Sequence, residues 1–320
     1  MNETSRDSGQ DRLALLQTFL RVAEAGSFSA AAQQLATTQP TVSRRVQMLE
    51  SLLGVRLVER STRGLRLTEE GERCAAQAQE LIEGWQSLAE ELDGGDELSG
   101  TLRLRVPHAF GQSQLIEPLA AFLTRHPRVS VEWMLQDQLP DFSRENVDCS
   151  LLVGEILQPN LIATQLAEVP RVLVASPSLA RRLPKGLDRK PPEEIAALLA
   201  TQPWLALLAF YRDGIDLAAA SGGARMHIPF RPRLGTDSLF ALIESARRGL
   251  GLALVSQWAV IDDIAEGRLV RLLPDWCATP LPISLVYPSR RLQPARLRAF
   301  LQVMREVIPT LRGMREVRRR

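Results

Sequence analysis

The sequence predicts an N-terminal winged helix-turn-helix, a long self-pairing helix, and a larger α/β region behind them. Three observations predict this. Residues 13–68 read as helix, short helix, tight turn, helix and hairpin. An apolar seam then steps through Gly71, Cys74, Ala78, Leu81, Trp85, Leu88 and Leu92 at alternating spacings of three and four. Beyond a Gly/acid hinge, short apolar strands alternate with helical stretches.

Residues 1–12 are polar and predict a disordered tail. In residues 13–24, Leu13, Leu16, Phe19, Leu20 and Ala23 share one helical face, and Gly26 stops the helix. Ser27 is placed to cap a second, short helix, and the small Ala30, Ala31 and Ala32 let it pack closely on a third. Thr38 is placed to cap that third helix. Pro40 sits in its first turn, where a missing N–H costs nothing. The third helix runs to Leu53 with Val42, Val46, Leu49 and Leu53 inward, and Gly54 ends it. "RLVER" and "LRLT" flank Thr62, Arg63 and Gly64 as a β-hairpin wing. The long helix spans 69–92, and Ala78, Leu81, Trp85, Leu88 and Leu92 are its expected pairing residues. A helix that only covers its own domain is the competing interpretation.

The hinge occupies 93–100 and the α/β region 101–312, with a basic tail at 313–320 that is either solvated or touches nucleic acid. Expected strands include "TLRLRV", "VSVEWML", "VDCSLLV", "RVLVAS", "LALLAF", "GLALVS" and "PISLVYP". Expected helices include Gln112–Thr124, Ser178–Leu183, Pro192–Ala200, Ser238–Arg248, Trp258–Glu266 and Leu292–Leu311. This alternation predicts parallel sheets with helices on both faces.

Composition narrows the function classes. The 320 residues suit two or three compact units. The longest uncharged apolar run, Ile195 to Tyr211, is broken by Gln202 and Pro203, so no membrane span and a cytoplasmic location are expected. Three cysteines and three histidines lie scattered, which argues against disulfides and metal sites. Neither a metal nor another cofactor is expected. The net charge is only +2, yet eight arginines against three glutamates between Arg12 and Thr68 leave that stretch at +5. No GxSxG, HExxH, P-loop or strand-borne GxGxxG is present, so the chain is expected not to be an enzyme.

The outward face of the third helix carries Gln39, Thr41, Ser43, Arg44 and Gln47, groups able to read base edges or grip phosphate. The expected DNA-binding set is Ser27, Ser29, Gln39, Pro40, Thr41, Ser43, Arg44, Arg45 and, on the wing, Arg63. A winged helix that binds protein instead would leave the same face merely solvated.

Phe19 to Gly71, "FLRVAEAGSFSAAAQQLATTQPTVSRRVQMLESLLGVRLVERSTRGLRLTEEG", resembles the LysR-type transcriptional regulators without a gap. "GTLRLRVPHAFG", "ARRGLGLALVSQWAVIDDIAEGRLVRLLPDW" and "LPISLVYPSRR" extend the resemblance over nearly the full chain. The resemblance implies a winged helix-turn-helix, a dimerising linker helix and two Rossmann-like effector subdomains similar to periplasmic binding proteins. The chain would cross between them near Glu168–Pro170 and Glu266–Leu269, giving subdomains of 101–168 plus 269–312 and of 170–267. Val58 departs from the family's usual Phe and should soften wing packing. "VPHAFG" stands where many members offer a ligand-binding hydroxyl.

The expected function is transcription regulation by a homodimer or homotetramer on an inverted-repeat operator in double-stranded DNA, with RNA polymerase a candidate partner. A small organic effector, a carboxylate among the candidates, would bind between the subdomains. The expected lining is Pro107, His108, Phe110, Gln112, Ser113, Val153, Leu205, Thr236 and Asp237. The helix N-terminus near Gly111 and His108 are the expected anion contacts, although His108 also suits a structural role and Thr236 and Asp237 also suit helix capping. A ligand-independent architectural or silencing DNA binder is the main alternative.

Overall fold

The computed structural model describes residues 7–61, 64–92, 98–142, 145–156, 161–289 and 293–317. Two compact units form: residues 1–98 with the short segments 141–146 and 290–298, and residues 99–140, 147–289 and 299–320. Among the described residues no helix is long and apolar enough to cross a membrane.

The first unit runs α1 (Asp7–Ala25), α2 (Phe28–Gln34), α3 (Gln39–Leu53), β1 (Val58–Ser61), β2 (Gly64–Leu67) and α4 (Glu69–Leu92). Helix α1 begins at Asp7, inside the segment expected as a tail. Leu15, Phe19 and Val22 of α1 meet Ala31 and Ala32 of α2, Val42, Val46 and Leu49 of α3, and Leu57. Each large side chain buried here contributes about 1.5–3 kcal/mol. Leu53 is exposed rather than inward, because it lies beyond the last turn that α1 covers. Ser27 caps α2 as expected, its Oγ accepting the Ala30 N–H at 3.0 Å. Thr38 takes the N-cap position of α3 but makes no cap bond; its hydroxyl pairs with that of Thr41 at 2.8 Å. Gly54, at φ 72°, closes α3 in the left-handed conformation. The Glu50 carboxylate accepts the N–H groups of Leu57 and Val58 at 2.7 and 3.2 Å, tying α3 to the wing. Val58 packs half-buried against the same core.

Gly71 is required where α4 leaves the wing. A Cβ there would lie 2.0 Å from the Leu57 carbonyl oxygen, so only glycine permits this approach. Thr68 helps fix the exit: its Oγ1 donates to the Arg56 carbonyl and accepts the Gly71 N–H.

The second unit contains two main sheets. The chain lays down β3 (Ser99–Val106), α5 (His108–Gly111), α6 (Ile116–Arg125), β4 (Arg128–Leu135), β5 (Cys149–Val153) and β6 (Leu161–Val169). It crosses at Pro170 into β7 (Arg171–Ala175), α7 (Pro177–Ala180), α8 (Pro192–Ala200), β8 (Trp204–Leu207), β9 (Gly214–Ala219) and β10 (Arg225–Pro229). There follow β11 (Pro232–Thr236), α9 (Leu239–Arg247), β12 (Leu252–Ser256), α10 (Ile261–Ala265), β13 (Val270–Leu272) and β14 (Trp276–Cys277). It returns through β15 (Leu281–Pro288), α11 (Ala295–Val307) and β16 (Arg315–Glu316). The sheet orders are β16-β6-β15-β5-β3-β4 and β11-β8-β12-β7-β13, with a small third sheet β10-β9-β14.

Several expectations need correction. The sheets are mixed, not parallel: β3, β4 and β5 run parallel, but β15 and β6 are antiparallel to their neighbours, as are β7 and β13 in the other sheet. The first crossing falls where expected. The second lies at 278–280, not at 266–269, because β13 pairs with β7 and β14 with β9 before the chain leaves. The helix expected over 112–124 begins only at Ile116, after turns at 112–115 that separate it from α5, and that over 258–266 starts as a 3-10 turn at 257–260. The described part of the basic tail is engaged: β16 pairs with β6, and Arg315 Nε donates to Glu168 at 2.9 Å, while residues 318–320 lie outside the described residues. Trp204 forms the centre of one core, stacked on Phe230 with ring centroids 4.4 Å apart.

Candidate nucleic-acid and effector sites

Packing decides which way α3 faces. Val42, Val46 and Leu49 are locked against α1, so the positions away from them are presented to solvent. Gln39, Pro40, Arg44 and Gln47 are exposed there, with Thr41 and Ser43 half-buried. Arg45 lies differently: half-buried, it turns back toward α1, where Nη1 donates to Thr18 Oγ1 at 3.4 Å. Ser29 is exposed in the first turn of α2, while the Ser27 oxygen is already a cap acceptor. Arg63 lies outside the described residues.

On α4 the expected pairing seam splits into two parts. Gly71, Cys74 and Ala78 face the core of the same unit, and Ala78 is fully buried there. Farther along, Leu81, Trp85 and Leu88 stand 61%, 57% and 40% exposed, a large apolar stripe that is uncovered among the described residues. The Leu92 side chain is outside the described residues. Beside the root of α4 an apolar groove of about 590 Å³ is lined by Leu16, Leu52, Val55, Leu57 and Leu81 among others.

In the second unit, the carboxyl ends of parallel strands converge, as the topology of open α/β sheets dictates. β3, β4 and β5 end at Val106, Leu135 and Val153; β8, β11 and β12 end at Leu207, Thr236 and Ser256. The two returning strands run antiparallel, so they start at this same edge. Arg171 opens β7 opposite Ser256, and β15 opens at Leu281, with its Ile283 opposite Val153. Between these ends lies a cavity of about 340 Å³. Its apolar wall includes Phe110, Leu207, Phe210, Leu239, Leu254 and Leu281. Its polar groups are His108, Gln136, Asp137, Gln138, Arg171, Tyr211, Asp237 and Ser256.

Of the residues expected from sequence, Pro107, His108, Phe110, Val153 and Asp237 line this cavity. Gln112, Ser113, Leu205 and Thr236 do not. Gln112 and Ser113 follow α5 rather than the cavity, and Ser113 Oγ donates to the Ala109 carbonyl at 2.6 Å. Leu205 points into the core, 2% exposed. Thr236 Oγ1 accepts the Ser238 N–H at 3.1 Å, and it is Ser238 that caps α9. The anion contacts expected at His108 and the α5 terminus are already taken. The Asp137 carboxylate accepts the His108 backbone N–H at 3.1 Å and meets its Nδ1 at 3.0 Å.

Arg171 was not anticipated and is the cation built most firmly into the wall. Burial lowers its pKa to about 10. Its guanidinium carbon lies 5.2 Å from the Tyr211 ring centroid, and Nη2 donates to the Thr279 carbonyl. The missed signal was its place: a strand that opens at a crossing opens at the cleft.

Two family models match the chain. The bacterial regulatory helix-turn-helix protein, lysR family, covers residues 13–72, and the LysR substrate binding domain covers 95–309. The HTH-type transcriptional regulator PtxR of Pseudomonas aeruginosa is 32% identical over 91% of both chains. Among solved structures, full-length AphB, a Vibrio cholerae virulence activator, is 28% identical with a TM-score of 0.55, covering 91% of this chain and 97% of its own. CrgA, a LysR-type regulator from Neisseria meningitidis, is 29% identical with a TM-score of 0.54, covering 92% and 97%.

Proposed function

Since the chain belongs to the LysR family of bacterial helix-turn-helix regulators, we propose that it is a sequence-specific transcription regulator switched by a small organic effector in the second unit's cavity. Members of this family bind DNA and small-molecule effectors and form oligomers. The relatives it resembles are transcription regulators.

The observation that carries the reading is the two-sidedness of α3. Its apolar side is fixed in the core, and its free side offers Gln39, Pro40, Thr41, Ser43 and Arg44. A helix so held fits the DNA major groove, where amide and guanidinium groups distinguish base edges. Ser27 and Ser29 at the start of α2 would add phosphate contacts, and Arg63 on the wing would reach the neighbouring groove.

The exposed Leu81, Trp85 and Leu88 support pairing of two copies through α4. Two heads so joined would read an inverted repeat with half-sites about 34 Å apart. Effector binding would favour one closure of the cavity, and the linker helices would pass that preference to the spacing of the heads.

Sedimentation and gel-shift measurements test this together. The expected result is a homodimer or larger oligomer. Its affinity for duplex operator should fall at least about a hundredfold between roughly 50 and 200 mM salt. A monomer with no preference for double-stranded DNA would falsify the proposal. Genome-wide mapping of bound DNA would supply the operator for these measurements.

A further inference from the structure

We propose that the effector is an amphipathic organic monoanion whose acid group is held by Arg171 and Tyr211. This rests on the cavity being the effector site, and it specifies what the site selects.

The wall holds a cation without a counter-charge. Burial alone moves Arg171, with no carboxylate acting on it. One of its donors, Nη2, is spent on the Thr279 carbonyl. Its Nε is buried with no hydrogen-bond partner, and so is the Tyr211 hydroxyl, among the described residues. Both residues line the cavity with the guanidinium stacked on the Tyr211 ring, and their two orphaned atoms are buried beneath that wall. Buried polar groups are almost always satisfied in folded proteins, so two orphans in one wall, one of them on an uncompensated cation, describe a missing acceptor. An acid group supplies both the charge and the lone pairs.

The rest of the wall sets the remainder of the ligand. Val153, Leu207, Phe210 and Leu254 give it an apolar surface. The volume of about 340 Å³ is near the lower limit for small-molecule pockets. Asp137 is engaged by His108, and Asp237 is exposed on the same wall. These carboxylates repel a second acid group, so a compact monoacid fits better than a di- or triacid. Arg171 also links the two crossings, since it follows Pro170 directly and Thr279 lies in the return segment. Neutralising it therefore acts at the hinge between the sheets.

Titration calorimetry on the full-length protein tests this with benzoate, hexanoate, benzamide, hexanamide and citrate. The acids should bind at least tenfold more tightly than the matching amides and than citrate. Arg171→Gln should erase that preference. Tyr211→Phe, which keeps the ring, should weaken benzoate several-fold while leaving benzamide unchanged, which a merely structural role would not do. Leu207→Trp fills the cavity and should abolish binding of every probe. Equal binding of acid and amide, or an acid preference that survives Arg171→Gln, overturns the anion anchor while leaving the cavity as effector site. Probe binding untouched by Leu207→Trp overturns the cavity itself, and no binding by any probe overturns the proposal.

Discussion

The outward face of α3 and the cavity at the strand ends are built on opposite principles. The first is a run of consecutive residues on one helix, Gln39 to Gln47, oriented by three apolar side chains. The second gathers strand ends and turns from Pro107 to Leu281, brought together only by sheet topology. Local periodicity orients a helix face directly, whereas a convergent wall depends on strand order and direction. The difference teaches that an error of direction in one strand is harmless to the first site and decisive for the second.

The largest expected effect separates wall from core on the convergent side. Leu205 and Leu207 are two residues apart on β8, yet Leu205 is 2% exposed in the core and Leu207 is half-buried in the wall. Leu205→Ala should destabilise by about 3 kcal/mol, in the range for truncations that leave a cavity. Leu207→Ala should cost about 1 kcal/mol, because its loss mainly enlarges space that is already open. Urea midpoints at constant m-value check this, and equal shifts would mean that Leu207 is packed as closely as Leu205 and that no cavity opens beside it.

This contrast also marks what the sequence made legible. The edges of α3 were readable because Pro40 and Gly54 act through local backbone chemistry, and the cap at Ser27 was readable for the same reason. Pro107, His108, Phe110, Val153 and Asp237 could be placed because each lies at or just past the end of a strand whose direction the alternation implied. Arg171, Tyr211 and Leu281 could not, since two of them open strands that run the other way and the third follows β8 into a loop. The second crossing was misplaced because β13 and β14, at three and two residues, are too short to show a period. Ala78 was assigned to the pairing seam because spacing alone does not say which partner a helix face meets; here the root of α4 covers its own unit.

An intermediate effect tests the local side. Arg44 is exposed on the free face of α3, whereas its neighbour Arg45 is drawn back to Thr18. Arg44→Ala should weaken operator binding by about 1–3 kcal/mol. Arg45→Ala should weaken it clearly less, and should loosen the α1–α3 contact instead. Gel-shift midpoints at one salt concentration compare them. If Arg45→Ala proved the more damaging, the presented face would have to be rotated by about one residue.

The smallest effect concerns the tight turn that joins the two helices of the motif. Ala36 sits there at φ 48°, in the left-handed region, while the turn is held by the Thr37 N–H donating to the Ala32 carbonyl at 2.9 Å. A Cβ in that conformation costs roughly 1–2 kcal/mol. Replacing it by glycine removes that strain but adds unfolded-state entropy of about 0.4–1 kcal/mol. Ala36→Gly should therefore stabilise the first unit by about 0.5 kcal/mol, the small residue of two opposing costs. Ala36→Val should act the other way, since a β-branched side chain tolerates this backbone worse than alanine does. Scanning calorimetry on both variants reads the sign. A turn that ranks glycine, alanine and valine in any other order does not impose the left-handed backbone, and the spacing between α2 and α3 would then have to be set by Ala31 and Ala32 alone.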